Sequence, residues 1–257
     1  DALGIVTLIC LVIVSLDWEH ILLETIKRDD ITITTYGSEN PQNDFQISRI
    51  HLGEASGTAR ITHKGKVLGE LELSIPGHHN LFNATAALAA VQALGVPLSE
   101  ALTGLSEFSG ARRRFELKGT INKIRVIDDY GHHPVEVKAT LSALRGAYPE
   151  KRMVLVFQPH RYTRTRDLFD DFVSVLTDVD QLIITEVYAA GEKPLALADG
   201  RSLVRAIRLQ GNENAIFAED LGDAETKLFN VLQNGDLVVT MGAGSVGKLP
   251  AKLAGTH

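Results

Sequence analysis

From about residue 122 onward the sequence alternates short Val/Ile-rich runs with longer helix-forming segments, and that alternation leaves few folds open. The runs at 122–127, 152–157, 181–186 and 236–241 stop at Gly, Pro or charged residues and read as strands buried on both faces. Between them, 134–147, 167–178, 201–210 and 222–233 read as helices, and Ala215-Ile216-Phe217 as a weaker strand. Strands separated by helices need crossover connections. The expected fold class is therefore α/β, with a doubly wound, mostly parallel sheet and right-handed crossovers.

The first half has a different pattern. Ala2 to Leu16 is apolar apart from Thr7 and Ser15, too short to span a bilayer as a helix and without the basic flank of a signal peptide. Its β-branched residues favour a buried strand or strand pair, and a chain opening on an interior strand reads as a fragment. A helix is expected at Trp18 to Lys27 and a strand at Ile31 to Tyr36. Gln46 to Leu52, Thr58 to His63 and Val67 to Ile75 alternate in polarity between turns at Gly53, Lys64-Gly65-Lys66 and Pro76-Gly77, which predicts an antiparallel meander. The Ala-rich stretch from Asn80 to Leu94 is a strong helix former, and a second helix follows from Leu98 with Ser99 as its cap. Gly110-Ala111-Arg112-Arg113-Arg114 reads as a hinge, giving domains at 1–111 and 112–257.

A chain of 257 residues with 44% hydrophobic content can bury two cores. Its net charge of −6 argues against a general nucleic-acid surface. The single cysteine, Cys10, excludes a disulfide framework, fits a reducing, cytoplasmic compartment, and sits among apolar neighbours as an inert core thiol would.

Chemistry concentrates at two strand ends. Asp128-Asp129-Tyr130-Gly131-His132-His133-Pro134 follows Val126-Ile127, and Gln158-Pro159-His160-Arg161-Tyr162-Thr163-Arg164-Thr165-Arg166 follows Met153 to Phe157. Loops at the carboxyl ends of strands build the ligand crevice of open α/β sheets. Their His, Arg and Asp content suits an anionic, phosphate-bearing ligand. A two-metal site built on Asp128, Asp129, His132 and His133 would need further carboxylates on other strand ends, so no metal ligand is assigned.

Three other features read more plainly. Gly242-Ala243-Gly244-Ser245-Val246-Gly247-Lys248 has G-x-G-x-x-G spacing, but it opens no βαβ unit, and Leu249 stands where a Walker loop needs Ser or Thr. It reads as a structural or substrate-edge turn. Asn80 suits a helix cap, while Asn83, one turn further in, wants a polar partner. Arg112 to Arg114 form either a solvated basic face or a phosphate-seeking group at the domain joint. His20 reads as a surface histidine and His133 as a packed loop imidazole.

Five ordered motifs, Gly77-His78-His79-Asn80-Leu81-Phe82-Asn83-Ala84, Arg113-Arg114-Phe115, Asp128 to Pro134, Phe157 to Arg166 and Glu186-Val187-Tyr188-Ala189-Ala190-Gly191-Glu192, together resemble the Mur ligases of peptidoglycan precursor synthesis. The resemblance covers 31–257 well and 1–30 loosely. It implies a Rossmann-like C-terminal domain preceded by a truncated α/β central (ATPase) domain. The family's UDP-binding domain, P-loop and Mg²⁺-binding residues have no match in this chain. It also implies ATP-dependent ligation of L-alanine to the muramoyl carboxylate of UDP-N-acetylmuramate through an acyl phosphate, with ATP and Mg²⁺ as cofactors and no nucleic-acid or membrane partner. A homodimer is compatible with it, and the fragment is expected to be inactive alone. By the same resemblance Asn80 and Asn83 would contact adenine, Arg114 the phosphates and Asp129 the ribose. Tyr130 would line both the nucleotide and amino-acid sites, and His132, His160, Arg161 and Arg164 would bind the amino acid and serve catalysis. An arginine fork matches a carboxylate, and a histidine can orient an amine or accept its proton. The alternative is a non-catalytic nucleotide- and amino-acid-binding domain that docks to an ATPase partner. The ligase reading requires Arg161 and His132 to lie on one side of the sheet, at what the sequence suggests are neighbouring strand tips.

Overall fold

The computed structural model describes residues 10–15, 31–53, 56–121 and 123–254, and the chain divides into two compact units between Ser109 and Gly110. The helix expected at Trp18 to Lys27, His20 and most of the apolar opening run lie outside the described residues.

In the first unit, strands β1 (Cys10–Ser15), β2 (Ile31–Gly37), β3 (Phe45–Leu52), β4 (Gly57–His63) and β5 (Lys66–Leu73) form one sheet in chain order. The predicted meander is β3–β4–β5, all antiparallel, and β3 also continues a parallel ladder with β2 and β1. Alternation buries Phe45, Ile47, Ala59, Ile61, Leu71 and Leu73 on one face. Helix α1 (His78–Ala93) supplies Leu81, Phe82, Leu88 and Ala89 to the same cluster. Because α1 begins at His78, Asn80 falls inside its first turn and does not cap it. The cap position is Gly77, and the Asn80 side-chain amide donates back to the Pro76 carbonyl at 2.7 Å. Asn83 is exposed. Ser99 does not cap α2 (Leu98–Ser106) either: Pro97 holds that position, and the Ser99 carbonyl accepts the Thr103 hydroxyl within the helix.

The second unit is a six-stranded sheet in the order β10-β9-β8-β11-β7-β6. Its strands are β6 (Glu116–Ile121), β7 (Ile124–Asp129), β8 (Met153–Phe157), β9 (Gln181–Thr185), β10 (Ala215–Ala218) and β11 (Leu237–Met241). All neighbours pair parallel except β6 with β7. Every residue of β8, β9 and β11 is buried, as their unbroken apolar runs require. Successive residues face opposite layers. Leu155, Phe157, Leu182, Ile184 and Val239 pack with helices α3 (Pro134–Ala147), α5 (Phe169–Leu176) and α6 (Gly200–Leu209). Val154, Val156, Ile183 and Val238 pack with α7 (Leu221–Val231) and α8 (Leu249–Ala254). The doubly wound expectation is met: helices cover both faces.

Two expectations are corrected here. The helix read at 167–178 is α5, and a separate short helix, α4 (Tyr162–Asp167), precedes it where a loop was expected, the two meeting at Leu168. The tips of β7 and β8 are not neighbours, because β11 runs between them. That insertion makes the crevice. The chain leaves β7 and β8 toward the α3/α5 layer but leaves β11 toward the α8 layer, so the loops part at their carboxyl ends. Among the described residues no helix is long and apolar enough to cross a membrane.

Candidate active site

The loop after β7 is shaped by the start of α3. His133 is the N-cap, its ring accepting from the Val135 N–H at 3.4 Å, and Pro134 follows at the first helical position. Glu136 completes a capping box, its Oε2 accepting the backbone N–H groups of His132 and His133 at 3.0 and 3.2 Å. His133 is thus spent on the helix, while His132, three residues past the strand, projects its ring from the tip. Burial pushes the Glu136 carboxyl up, but the His132 N–H and ring, the His133 N–H and Arg114 outweigh it and hold it below the ordinary range.

The loop after β8 is tied to the loop after β9. The Arg161 N–H donates to the Tyr188 carbonyl at 3.0 Å and the Tyr188 N–H to that of Pro159 at 2.8 Å. Glu192 accepts the Thr163 N–H at 2.9 Å and its hydroxyl at 2.6 Å, and lies 3.7 Å from the Arg161 guanidinium. These ties hold Arg161 in the left-handed region at φ 60°.

The two loops meet across β11. Ring centroids run Tyr130–His132 at 5.4 Å, His132–His160 at 5.6 Å and His160–Tyr188 at 5.7 Å. The row has cations along it: Arg113 and Arg114 lie over the Tyr130 ring at 5.2 and 5.6 Å, and Arg164 donates to His160 Nδ1 at 3.3 Å. Burial first, then the charges of His132, Arg164 and Arg161, lower the His160 pKa, with Glu192 opposing.

Beneath this row lies Arg113, which the sequence left open between a solvated basic face and a phosphate-seeking group. Arg113 donates to the fully buried Asp128 at 2.9 Å and to the Gly242 carbonyl at 2.6 Å, while the Thr240 hydroxyl donates to Asp128 at 2.8 Å. The glycine loop needs its glycines for packing. A Cβ on Gly242 (φ 142°) would come within 2.5 Å of the Gln158 carbonyl, one on Gly244 within 2.7 Å of Tyr188, and one on Gly247 within 2.6 Å of the Arg113 guanidinium. The side-chain oxygen of Gln158 accepts the Val246 N–H at 2.9 Å, closing the loop onto β8. Gly244→Ala is expected to destabilise the chain by about 1–3 kcal/mol through overpacking, read as a lower urea midpoint, and to move Tyr188 off His160.

The structure brings Tyr130, His132, His160, Arg161 and Arg164 together and places Arg114 beside Tyr130, paired with Glu136 at 3.7 Å. Asp129, expected at the ribose, lies beneath the loop. It is 4% exposed, and its carboxylate accepts the N–H groups of Phe115 and Gly131 at 2.8 and 2.7 Å and the Thr140 hydroxyl at 3.3 Å. It braces the loop. Asn80 and Asn83 belong to the other unit. Sequence reasoning gave no role to Arg113, Asp128, Glu136, Tyr188 or Glu192. The one available signal was Glu136, three residues after a cap, disguised because the cap is a histidine. Among the described residues no cluster of three or more His, Cys, Asp or Glu side chains could hold a metal ion.

Comparison with known proteins fits this geometry. The family described as "Mur ligase, glutamate ligase domain" matches residues 113–244, and "Mur ligase middle domain" matches 7–91. A UDP-N-acetylmuramate–L-alanine ligase of Neisseria meningitidis is 46% identical over 248 residues, covering 93% of this chain and 52% of the relative. One from Laribacter hongkongensis is 53% identical, covering 72% of this chain and 41% of the relative. The chain thus spans about half the length of the relatives it matches. The crystal structure of UDP-N-acetylmuramate–alanine ligase MurC from Thermotoga maritima superposes with a TM-score of 0.70 at 28% identity, covering 86% of this chain and 47% of that one. A folylpolyglutamate synthase from Mycobacterium tuberculosis, solved with ADP, shares the fold at a TM-score of 0.67, 20% identity and coverage of 91% and 51%. With its second half matched to one domain of that family and most of its first half to another, the chain belongs to the Mur ligases.

Proposed function

We propose that this chain carries the amino-acid-receiving part of a cytoplasmic ATP-dependent ligase that joins L-alanine to the muramoyl carboxylate of UDP-N-acetylmuramate. The observation that carries the reading is the convergence of His132 and His160, 5.6 Å apart, with Arg161 and Arg164 on one side of the sheet. A zwitterionic amino acid needs cations for its carboxylate and a proton acceptor for its ammonium, and this crevice offers both. The relatives' names supply the substrate identity.

ATP would supply the phosphoryl group that activates the carboxylate as an acyl phosphate. In the second unit Arg114, half exposed and lying over Tyr130, fits a phosphate contact. In the first, Asn80 and Asn83 at the start of α1 carry amides suited to a base edge. We assign Asp129 to bracing the loop in place of a ribose contact, since its oxygens already hold three donors. Mg²⁺ is assigned to no residue of this chain. Residues 1–111 are taken as part of the central ATPase domain and 112–257 as the C-terminal domain.

In the complete protein, phosphate release from ATP is expected to require both UDP-N-acetylmuramate and L-alanine. Release that ignores L-alanine, or calorimetry showing that this chain's half binds a partner ATPase but no amino acid, would overturn the reading in favour of a docking domain.

A further inference from the structure

The two imidazoles at the strand tips carry opposite tautomers. His132 Nδ1 lies 3.0 Å from the Tyr130 carbonyl oxygen and 3.3 Å from Glu136 Oε2. Both partners accept: one is a carbonyl, and the other is a carboxylate held ionised by the N–H groups it caps. Nδ1 must therefore carry the hydrogen, which leaves the Nε2 lone pair free. His160 has the reverse arrangement. Its Nδ1 faces Arg164 Nη1 at 3.3 Å, and a guanidinium only donates, so the His160 hydrogen is on Nε2. The charged groups along this row of rings are Glu136 on α3, Arg113 and Arg114 ahead of β6, Arg161 and Arg164 at the start of α4, and Glu192 after β9.

We propose that His132 is the general base for the incoming amino acid, that Glu136 is its positioning carboxylate, and that His160 serves as a neutral hydrogen-bond donor. This rests on the ligase reading above and adds the division of labour between the two rings. The α-ammonium gives one proton to His132 Nε2. Glu136 lies on the far side of the ring, where it balances the imidazolium charge as a carboxylate does behind a catalytic histidine. The freed amine forms the C–N bond to the acyl carbon. The C–O bond to phosphate then breaks with its electron pair, and the second nitrogen proton leaves with the phosphate. His132 returns its proton to water. His160 cannot share this task, because burial and the guanidiniums of Arg164 and Arg161 disfavour its charged form, as does His132 once it has taken the proton. Its Nε2–H is left to hold an oxygen of the substrate.

Two measurements test this. Two-bond ¹H–¹⁵N correlation spectra of the imidazoles on this chain, assigned with His132→Asn and His160→Asn, are expected to show His132 protonated at Nδ1 and His160 at Nε2. In the complete ligase, His132→Gln should lower kcat by about 10²–10⁴-fold. Glu136→Gln keeps an oxygen for the capped N–H groups but loses the charge. It should lower kcat by about 10-fold or more, leave the alanine KM within about threefold, and move the acidic limb of kcat/KM to lower pH. A purely capping role would leave that limb in place. Swapped tautomers, or unchanged kcat in both variants, would overturn the base assignment alone. Absence of alanine-dependent turnover in the wild-type protein would overturn the ligase reading and the base assignment with it.

Discussion

Replacing Arg113 with methionine is expected to destabilise the chain by about 3–5 kcal/mol, the cost of leaving a buried charge without its partner. Asp128 is fully buried, and Arg113 meets it at 2.9 Å. The same guanidinium holds the Gly242 carbonyl at 2.6 Å, so its loss also frees the glycine loop. Adding Asp128→Asn should recover much of the loss, since the Thr240 hydroxyl can still bond to a neutral amide. The pH dependence follows in sign. Burial raises the Asp128 carboxyl above its ordinary value, with Thr240 and Arg113 pulling it down without cancelling the rise. Removing Arg113 lifts it further. A buried acid whose folded-state value lies above its unfolded one binds more protons when folded, so the stability it contributes is present at low pH and lost as pH rises through the folded value. The deficit of the methionine variant should therefore shrink as pH falls from about 7 to about 5. Urea midpoints across that range decide the matter. A deficit that grows on acidification would show that Asp128 is not the group left uncompensated.

The same ion pair shows where the sequence stopped being readable. Strands β8, β9 and β11 were legible because every residue in them is buried, so hydrophobicity alone marks them. The ends of α3 fell where read because Pro134 fixes its start. Strand β7 was read as ending at Ile127, yet it continues through Asp128 and Asp129. Asp128 enters the sheet because partners far along the chain receive it, Arg113, 15 residues away, and Thr240, 112 away, while Asp129 is received by the Phe115 and Gly131 N–H groups and the Thr140 hydroxyl. No local pattern announces such pairs. Strand β6 was missed because Glu116-Leu117-Lys118-Gly119-Thr120-Ile121 is an edge strand, largely open to solvent and interrupted by glycine. The site's chemistry was visible as residue types at strand ends, but which groups are free was not. Asp129 and Arg113, equal in charge to their neighbours Asp128 and Arg114, differ from expectation in what already occupies them. Placing β11 between the two loops is likewise a long-range decision, and it turns two separate tips into one crevice.

Arg161→Gly is expected to change stability and substrate binding in opposite directions. Arg161 sits at φ 60° and ψ 145°, a region a side chain occupies only under constraint, at a cost of about 1–3 kcal/mol. Glycine relaxes that cost, so the variant should unfold at a urea midpoint equal to or above that of the wild type. Its guanidinium is half exposed and only loosely paired with Glu192 at 3.7 Å, which leaves its donors available to a ligand. Losing a charge-assisted pair to a carboxylate should raise the alanine KM of the complete enzyme about 10–100-fold, with kcat little changed. Arg164→Ala should differ in kind. Arg164 Nη1 is shared between His160 Nδ1 and the His160 carbonyl, each at 3.3 Å, so its removal frees the ring as well as the pocket and should lower kcat together with the rise in KM. The two arginines flank one histidine, so the double variant should fall short of the product of the single effects. Strain retained at Arg161 has a reason only if the side chain it presents is used. An Arg161→Gly enzyme more stable than the wild type with an unaltered alanine KM would show that it is not, and would remove Arg161 from the pocket.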